Sequence, residues 1–543
     1  MYKLHISPDM TLYEAFRKTA LIHRDRPALT CGDRTLTYRE LLGNVAALAR
    51  ELRERGLGPG GRIALLLPNS LAFAYGFFAP SALGAAVIPI DPTLKSRDLI
   101  PILKDSGCSH ILTDQNVPDE ETRIILESGH PSLPDLKGVL YWSEMKAAVE
   151  KGTISADADS ETLFPPVSPD APAAFFYTSG TTGTAKAVVH SHRTMLSSAT
   201  QGQSFIKRPP IMQVVVLVKL AARYGPRMIR AIFRPPVTMS PAPLHLLLGY
   251  GSLIGTLFVG GRFVVNESFH PGKILESIEK ERVGFLTLSP TMALALMKSR
   301  DFGRRNLSSL WILALTSAPC SPELAFRAER AFRCSVHIAF GATEIGATLQ
   351  TTAFDPRAKK RGTVGRSLLN NMTRIVDDER REVPRGRVGE LAHRLPSVML
   401  GYHNAPDLTA SALDGEGWYY TGDLAVMDEQ GFVRIVGRKK DMVIRGGQNV
   451  FPAEIEQFVL TLDGVKNAAA MGRPDPVLGE CLWLYVELQE GATMTAEGLT
   501  AICRERLSPA KRPDHVKIVE ALPVTASGKV RKFLLKDMDI DHG

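Results

Sequence analysis

The residues Tyr177-Thr-Ser-Gly-Thr-Thr-Gly-Thr-Ala-Lys186 gather hydroxyls, glycines and a single lysine directly behind the apolar run Ala173-Ala-Phe-Phe176. Glycines at 180 and 183 let a backbone bend until several N–H groups face one concavity. Thr178, Ser179, Thr181 and Thr182 add hydroxyl donors, and Lys186 adds a mobile point charge. That set suits a polyphosphate. A flexible Ser/Thr/Gly linker has the same composition. It does not account for the lone terminal lysine or for the strand-like segments Phe175-Phe-Tyr177 and Ala187-Val-Val189 on either side. No Gly-Lys-Ser/Thr closes the loop, and strands rather than a strand and a helix flank it, so it is not a Walker A loop.

Further segments carry chemistry downstream: Phe340-Gly-Ala-Thr-Glu344, Gly417-Trp-Tyr-Tyr-Thr-Gly-Asp423, Gly431-Phe-Val-Arg-Ile-Val-Gly-Arg438 with Lys439-Lys-Asp441, Gly446-Gly447 before Phe451-Pro-Ala-Glu-Ile-Glu456, and Leu522-Pro-Val-Thr-Ala-Ser-Gly-Lys529. With the 177–186 loop, their wording, order and spacing resemble the motif set of the adenylate-forming superfamily: acyl-CoA synthetases, peptide-synthetase adenylation domains and firefly luciferase. The resemblance spans residues from about 10 to 535 and is most like an acyl-CoA or fatty-acid–CoA ligase.

The resemblance implies a reaction in which a carboxylate attacks the α-phosphate of ATP, pyrophosphate leaves, and a thiol opens the resulting mixed anhydride. Such a site must hold the leaving pyrophosphate and neutralise charge at the pentavalent phosphorus. By resemblance, Thr178, Ser179, Gly180, Thr181, Thr182, Gly183 and Lys186 bind the β- and γ-phosphates, and Thr343 the α-phosphate. Glu344 holds Mg²⁺, a hard cation suited to carboxylate and phosphate oxygens. Phe340 and Gly341 meet the adenine with the Ser317-Ala318-Pro319 backbone beside it, Asp423 accepts the ribose hydroxyls, and Arg438 reaches ribose or phosphate. Lys529 is the expected catalytic lysine, bridging the acid's carboxylate and the α-phosphate. On composition alone it is a surface lysine near a basic C-terminus; the motif around it reverses that reading.

The acid is expected to be apolar. His245 and Leu246 in Pro243-Leu-His-Leu-Leu-Leu-Gly249 fall where family members line the acyl pocket, with Gly249, Ser317 and Ala342 expected to complete it. Amino-acid-activating relatives place an Asp near Leu246 for the ammonium, and an aryl-acid group uses Asn; leucines argue instead for a hydrophobic tail, medium or long, with aryl and short acids left open. His245 reads equally as a satisfied core histidine. Thr316-Ser-Ala-Pro319 departs from the more usual Gly-Gly-Ala-Pro or Gly-Ser-Ala-Pro, which leaves chain length open. Coenzyme A is the expected acceptor, because the run Phe354–Gly365 leaves no room for the insertion of fatty-acyl-AMP ligases; phosphopantetheine of a carrier protein is the alternative. The resemblance also implies a C-terminal domain that swings about Lys440 and brings Gly446 and Gly447 to line a thiol tunnel.

The elements that must position these groups follow a βαβ grammar. A helical pattern over Tyr38–Arg55 precedes an apolar strand over Arg62–Leu67, a second helix and a strand over Ala86–Ile90, and the style recurs near Val139–Trp142 and in Phe258–Phe285. From about 360 to 437 short strands and turns suggest a small β-barrel. Beyond 441 the pattern is compact α+β: helix 452–463, strands 467–471 and 482–488, helix 495–507, strand 515–519. The expected fold is α/β, with an N-terminal domain over 1–437, a hinge at 438–441 and a mobile α+β domain over 442–543.

At 543 residues the chain exceeds one core. The hydrophobic share of 44% and charged share of 22% are those of a globular protein. Six scattered cysteines without a C-x-x-C pair argue against a disulfide framework or zinc site. With neither a signal-peptide core nor a membrane-length apolar run, the expected location is cytoplasmic. The net charge of +8 is uneven: no Asp or Glu lies between Asp170 and Glu267, while seven basic residues fall from Lys207 to Arg234. No nucleic-acid-binding signature accompanies them, so an anionic substrate fits better than nucleic acid. Within 203–238, Arg227, Arg230 and Arg234 recur at helical spacing among Met228, Ile229, Ile232 and Phe233. That segment reads either as a basic amphipathic lid touching a membrane surface or as a packed helix with a solvated basic face.

Overall fold

The computed structural model describes residues 6–114, 120–128, 133–151, 164–179, 185–201, 234–368, 371–446, 448–524 and 530–535. The segment 202–233, which holds most of the basic stretch, lies outside them.

The expected helix over 38–55 forms as Tyr38–Glu54, started by a capping box. Thr37 Oγ1 accepts the Glu40 N–H at 3.2 Å, and the Glu40 carboxylate accepts the Thr37 N–H at 2.7 Å. The helix buries Leu41, Val45, Leu48 and Leu52 beside Leu71–Ala82, an all-apolar helix whose Phe73, Phe77 and Phe78 lie deep in the same core. Strands Arg62–Leu66, Ala86–Pro89 and His110–Thr113 are buried almost throughout and mostly apolar, as strands in the middle of a parallel sheet are.

Two large sheets result. One has the strand order Gly401–Tyr402, Ala185–Ser191, Pro172–Ser179, Ala86–Pro89, Arg62–Leu66, His110–Thr113, Gly138–Tyr141. Its last five strands are parallel, whereas Pro172–Ser179 and Ala185–Ser191 form an antiparallel hairpin and Gly401–Tyr402 adds to its edge antiparallel. The other is a nine-stranded sheet. Its parallel centre contains Arg262–Val265, Val237–Met239, Phe285–Leu288, Ile312–Leu315 and Ser335–Ala342. Ser335–Ala342 then turns back antiparallel into Gly346–Gln350.

The region expected as a small barrel is an antiparallel sheet of four strands: Met372–Val376, Val388–Arg394, Tyr419–Met427 and Val433–Arg438. The short strands flanking it go elsewhere, Arg366–Ser367 to the nine-stranded sheet and Gly401–Tyr402 to the hairpin. Its turns fall where Asp and Gly predicted them: Gly386 and Gly431 take φ of +82° and +80°, and Asp428 Oδ1 accepts the N–H groups of Gln430 and Phe432.

After the 3₁₀ turn Lys439–Asp441, a separate five-stranded sheet contains Val443–Arg445, Gln448–Val450, Val465–Asp475, Gly479–Leu488 and His515–Val519. The helix expected over 452–463 is shorter, Pro452–Val459. Its end tightens: Thr461 and Leu462 N–H groups bond to the carbonyls of Phe458 and Val459, and Gly464 turns the chain at φ +85°. All six cysteines are free. Among the described residues, no helix is long and apolar enough to cross a membrane.

Candidate active site

Strand alternation builds the first wall. In the hairpin, Phe176 pairs with Val188 and Thr178 with Lys186, and Tyr402 pairs with Val188 on the far side. Side chains two apart share a face, so Phe176, Thr178, Lys186, Val188, His190 and Tyr402 line one side. Phe175, Ala187 and Val189 pack into the core behind. The described ends of the phosphate-type segment, Thr178-Ser179 and Ala185-Lys186, are therefore paired across an antiparallel ribbon. Gly180, Thr181, Thr182 and Gly183 lie outside the described residues, as does the Ser179 side chain.

The second wall is the carboxyl end of Ser335–Ala342, which carries Phe340, Gly341 and Ala342 into a turn at Thr343-Glu344. Only glycine fits at 341, since a Cβ there would stand 2.3 Å from the Gly346 carbonyl oxygen. His190 donates from Nε2 to the Thr343 carbonyl at 2.7 Å, and Met399 N–H donates to the Glu344 carbonyl at 2.8 Å. The turn is thus tied to the hairpin and to the segment before Tyr402. Burial holds the His190 ring below its usual pKa, against the pull of the Thr343 carbonyl and Glu344.

Glu344 is the centre of the site. Tyr402 Oη donates to its Oε1 at 2.9 Å, and Tyr402 shares a hydrogen bond with the Tyr419 hydroxyl. Lys186 Nζ lies 3.9 Å from the centroid of the Tyr402 ring. Burial depresses the Lys186 pKa; Glu344 opposes that shift and Arg438 adds to it. Burial and Glu344 together push the Tyr250 phenol well above its ordinary range, and its ring stacks on Phe176 at 4.2 Å.

The third wall is the antiparallel pair Tyr419–Met427 and Val433–Arg438, where Asp423 and Arg438 face each other. Arg438 donates from Nε to Asp423 Oδ1 at 2.9 Å. Burial works against the Arg438 charge, but Asp423, Asp441 and Glu344 outweigh it and keep its pKa raised. Lys440, the expected pivot, shares this field: burial lowers its pKa and Asp441 opposes, while Arg438 and Lys186 lower it further.

The expected acyl-pocket residues divide. Tyr250, one residue past Gly249, lies within the field of Glu344. Gly249 is required sterically, because a Cβ would meet the Pro243 carbonyl oxygen at 2.2 Å. Leu246 precedes the helix Leu247–Phe258 as its N-cap, donating its N–H to the Pro243 carbonyl. His245 Nε2 lies 4.0 Å from Asp91 Oδ2, and burial holds the ring's pKa low against that carboxylate. In the 316–319 segment the special backbone is at Ser317, with φ +70°, and not at Thr316, the residue that departs from the usual glycine. Ala318 follows it, half-buried. Gly446 takes φ +54° and donates its N–H to the Leu478 carbonyl at 2.7 Å, within the C-terminal sheet. Gly447 and Lys529 lie outside the described residues. Tyr402, Tyr250 and His190 were missed from sequence, since each reads there as a core residue, and Tyr419 had no role assigned within the 417–423 motif; the alternation 186, 188, 190 was the one available signal for His190.

A carboxylate ringed by cations and phenols, beside a hydroxyl-rich hairpin and an Asp–Arg pair, defines an enzyme that handles a nucleoside polyphosphate. The AMP-binding enzyme family matches residues 16–403, and the AMP-binding enzyme C-terminal domain matches 454–529. The chain belongs to the AMP-binding enzyme family, within the adenylate-forming superfamily, and is of its acyl-CoA ligase type. It is 30% identical over 562 residues to a long-chain-fatty-acid–CoA ligase of Escherichia coli O6:H1, covering 98% of this chain and 95% of that one. It is also 30% identical over 563 residues to the mitochondrial medium-chain acyl-CoA ligase ACSF2 of Mus musculus, covering 98% and 88%. Among solved structures, ATP-bound MatB from Rhodopseudomonas palustris superposes with a TM-score of 0.81 at 25% identity over 98% of this chain and 99% of that chain. The anthranilate CoA ligase AuaEII shares the fold, with a TM-score of 0.82 at 22% identity over 98% of both chains.

Proposed function

We propose that this protein activates a hydrophobic, medium- or long-chain carboxylic acid with ATP, releases pyrophosphate, and passes the acyl group to coenzyme A. The observation that carries this reading is the convergence on Glu344 of Lys186, Arg438, Tyr402 and Tyr250. Two cations stand near a carboxylate that forms no ion pair among the described residues. That carboxylate is a hard oxygen donor beside a polyphosphate loop, which fits Mg²⁺. When bound, the ion would neutralise phosphate charge. Lys186 and the hairpin-tip donors would hold the leaving pyrophosphate. Thr343 would bond the α-phosphate, while Asp423 would exchange its Arg438 contact for ribose hydroxyls and leave that guanidinium to meet ribose or phosphate. Phe340 and Gly341 would take the adenine.

An apolar acid is supported by the leucines at 246–248 and by the fatty-acid and medium-chain names of the relatives. His245, Leu246, Gly249, Ser317 and Ala342 would shape its pocket. The chain divides as 1–437, 438–441 and 442–543 in this reading. Rotation at Lys440 would alternate Lys529 with the Gly446-Gly447 loop at the site. Pyrophosphate release measured over a panel of straight-chain, aryl and amino acids, with and without coenzyme A, tests the reading. Release should peak with aliphatic acids and yield a thioester only when the thiol is present. Turnover confined to amino acids, or a thioester formed only on a carrier protein, would overturn it.

A further inference from the structure

Tyr402 joins the two phosphate-facing groups of this site through its two ends. Its hydroxyl donates to Glu344 Oε1 at 2.9 Å, and its ring face carries the Lys186 ammonium at 3.9 Å. Both ends are fixed from outside. The Tyr402 N–H donates to Thr409 Oγ1 at 2.9 Å, and the residue pairs with Val188 on the hairpin that also bears Lys186. The Tyr419 hydroxyl supports the phenol from behind, so the order Tyr419, Tyr402, Glu344 forms a hydrogen-bonded chain from the four-stranded sheet to the carboxylate. Gly401 lets this edge approach its neighbour closely: at φ +149°, a Cβ there would meet Thr409 Cγ2 at 2.9 Å. A half-buried carboxylate can rotate its oxygens, and a lysine on a loop edge can sweep a wide arc. A phenol between them removes both freedoms.

We propose that Tyr402 is a positioning residue that aims Glu344 at the metal through its hydroxyl and keeps Lys186 over its ring, already set beside the carboxylate where a polyphosphate binds. The proposal rests on Glu344 being the metal carboxylate and Lys186 a pyrophosphate ligand. The two ends separate by substitution: Tyr402→Phe keeps the ring and removes the hydroxyl, whereas Tyr402→Leu removes both.

The experiment uses the full chain with a non-hydrolysable ATP analogue and counts bound Mn²⁺ by electron paramagnetic resonance, alongside Mg²⁺ titrations of pyrophosphate release. Tyr402→Phe should weaken Mn²⁺ binding and raise the Mg²⁺ half-saturation point by roughly tenfold, with inhibition by pyrophosphate unchanged. Tyr402→Leu should add a roughly two- to fivefold weakening of pyrophosphate inhibition. A merely structural role would lower the melting temperature and leave metal affinity alone, which overturns the proposal. Glu344→Gln separates the failures. If Glu344→Gln abolishes Mn²⁺ binding while Tyr402→Phe binds like the wild type, only the Tyr402 role falls. If Glu344→Gln binds Mn²⁺ normally, the metal assignment itself falls.

Discussion

Three histidines outside the Glu344 cluster show what burial costs a side chain. His192, His337 and His393 are buried, and desolvation lowers their pKa values to about 4, about 3 and about 3. His393 is held between the hydroxyls of Thr373 at 3.0 Å and Thr348 at 3.3 Å, while His337 reaches Ser335 Oγ at 3.1 Å. Each is neutral when folded, so the unfolded chain binds more protons once the pH drops below the ordinary histidine range. Stability from these residues is complete above about pH 6.5 and is lost as pH falls toward their folded values, at roughly 1.4 kcal/mol per pH unit for each. Melting temperature measured between pH 6.5 and 5, above the range where carboxylates titrate, should fall steadily. Replacing His393 with Gln should flatten that slope whatever it does to the absolute value. A flat wild-type profile would show that these rings are protonated in the fold.

The short basic helix Arg357–Gly362 shows how an element can be fastened by charge inside the fold. Lys360 is 3% exposed, its ammonium 3.5 Å from Glu329 and 3.2 Å from Ser335 Oγ, and Arg361 reaches the same carboxylate at 3.0 Å. Removing one member of a buried pair strands the other, at a cost of about 3–5 kcal/mol. Glu329→Gln should therefore lower the melting temperature clearly, and adding Lys360→Met should restore part of the loss. A single variant as stable as the wild type would mean that water reaches the pair. This contact also marks the limit of legibility. Glu329 and Lys360 are far apart in sequence and neither sits in a motif, so no local pattern announces them. The strands on either side of the 177–186 run, the helix over 38–55 and the turns of the four-stranded sheet were readable because each is decided within a few residues. The Thr178–Lys186 run, Glu344, Asp423 and Arg438 stood out as candidates because phosphate chemistry needs unusual residue types in dense runs. Tyr402 and Tyr250 did not stand out, because a lone aromatic residue is the commonest thing a core contains, and Tyr419 carried no role of its own inside the 417–423 motif.

For the whole molecule, the residues around Glu344 stand on two large sheets and on the four-stranded sheet, whereas Gly446 follows a strand of the five-stranded C-terminal sheet, whose chain leads on to Lys529. If the C-terminal part alternates about Lys440, Lys529 serves the first half-reaction alone. Lys529→Ala should then cut acyl-adenylate formation roughly a hundredfold or more, while thioester formation from supplied acyl-adenylate largely survives. Equal losses in both half-reactions would sink the alternating scheme.

The two-residue edge strand Gly401–Tyr402 sets a further constraint, one on how this chain can change. Its pairing with Val188 and Val189 fixes which of two neighbouring residues points at the carboxylate. A shift of one position exchanges faces. One residue inserted or deleted between Leu395 and Gly401, with the strand pairing held, would put Gly401 or His403 where the phenol belongs. The tip of the neighbouring turn, Gly415-Glu416, is by contrast exposed and belongs to no strand. Length variation among descendants of this chain should therefore collect at that turn and stay out of the segment just before Gly401.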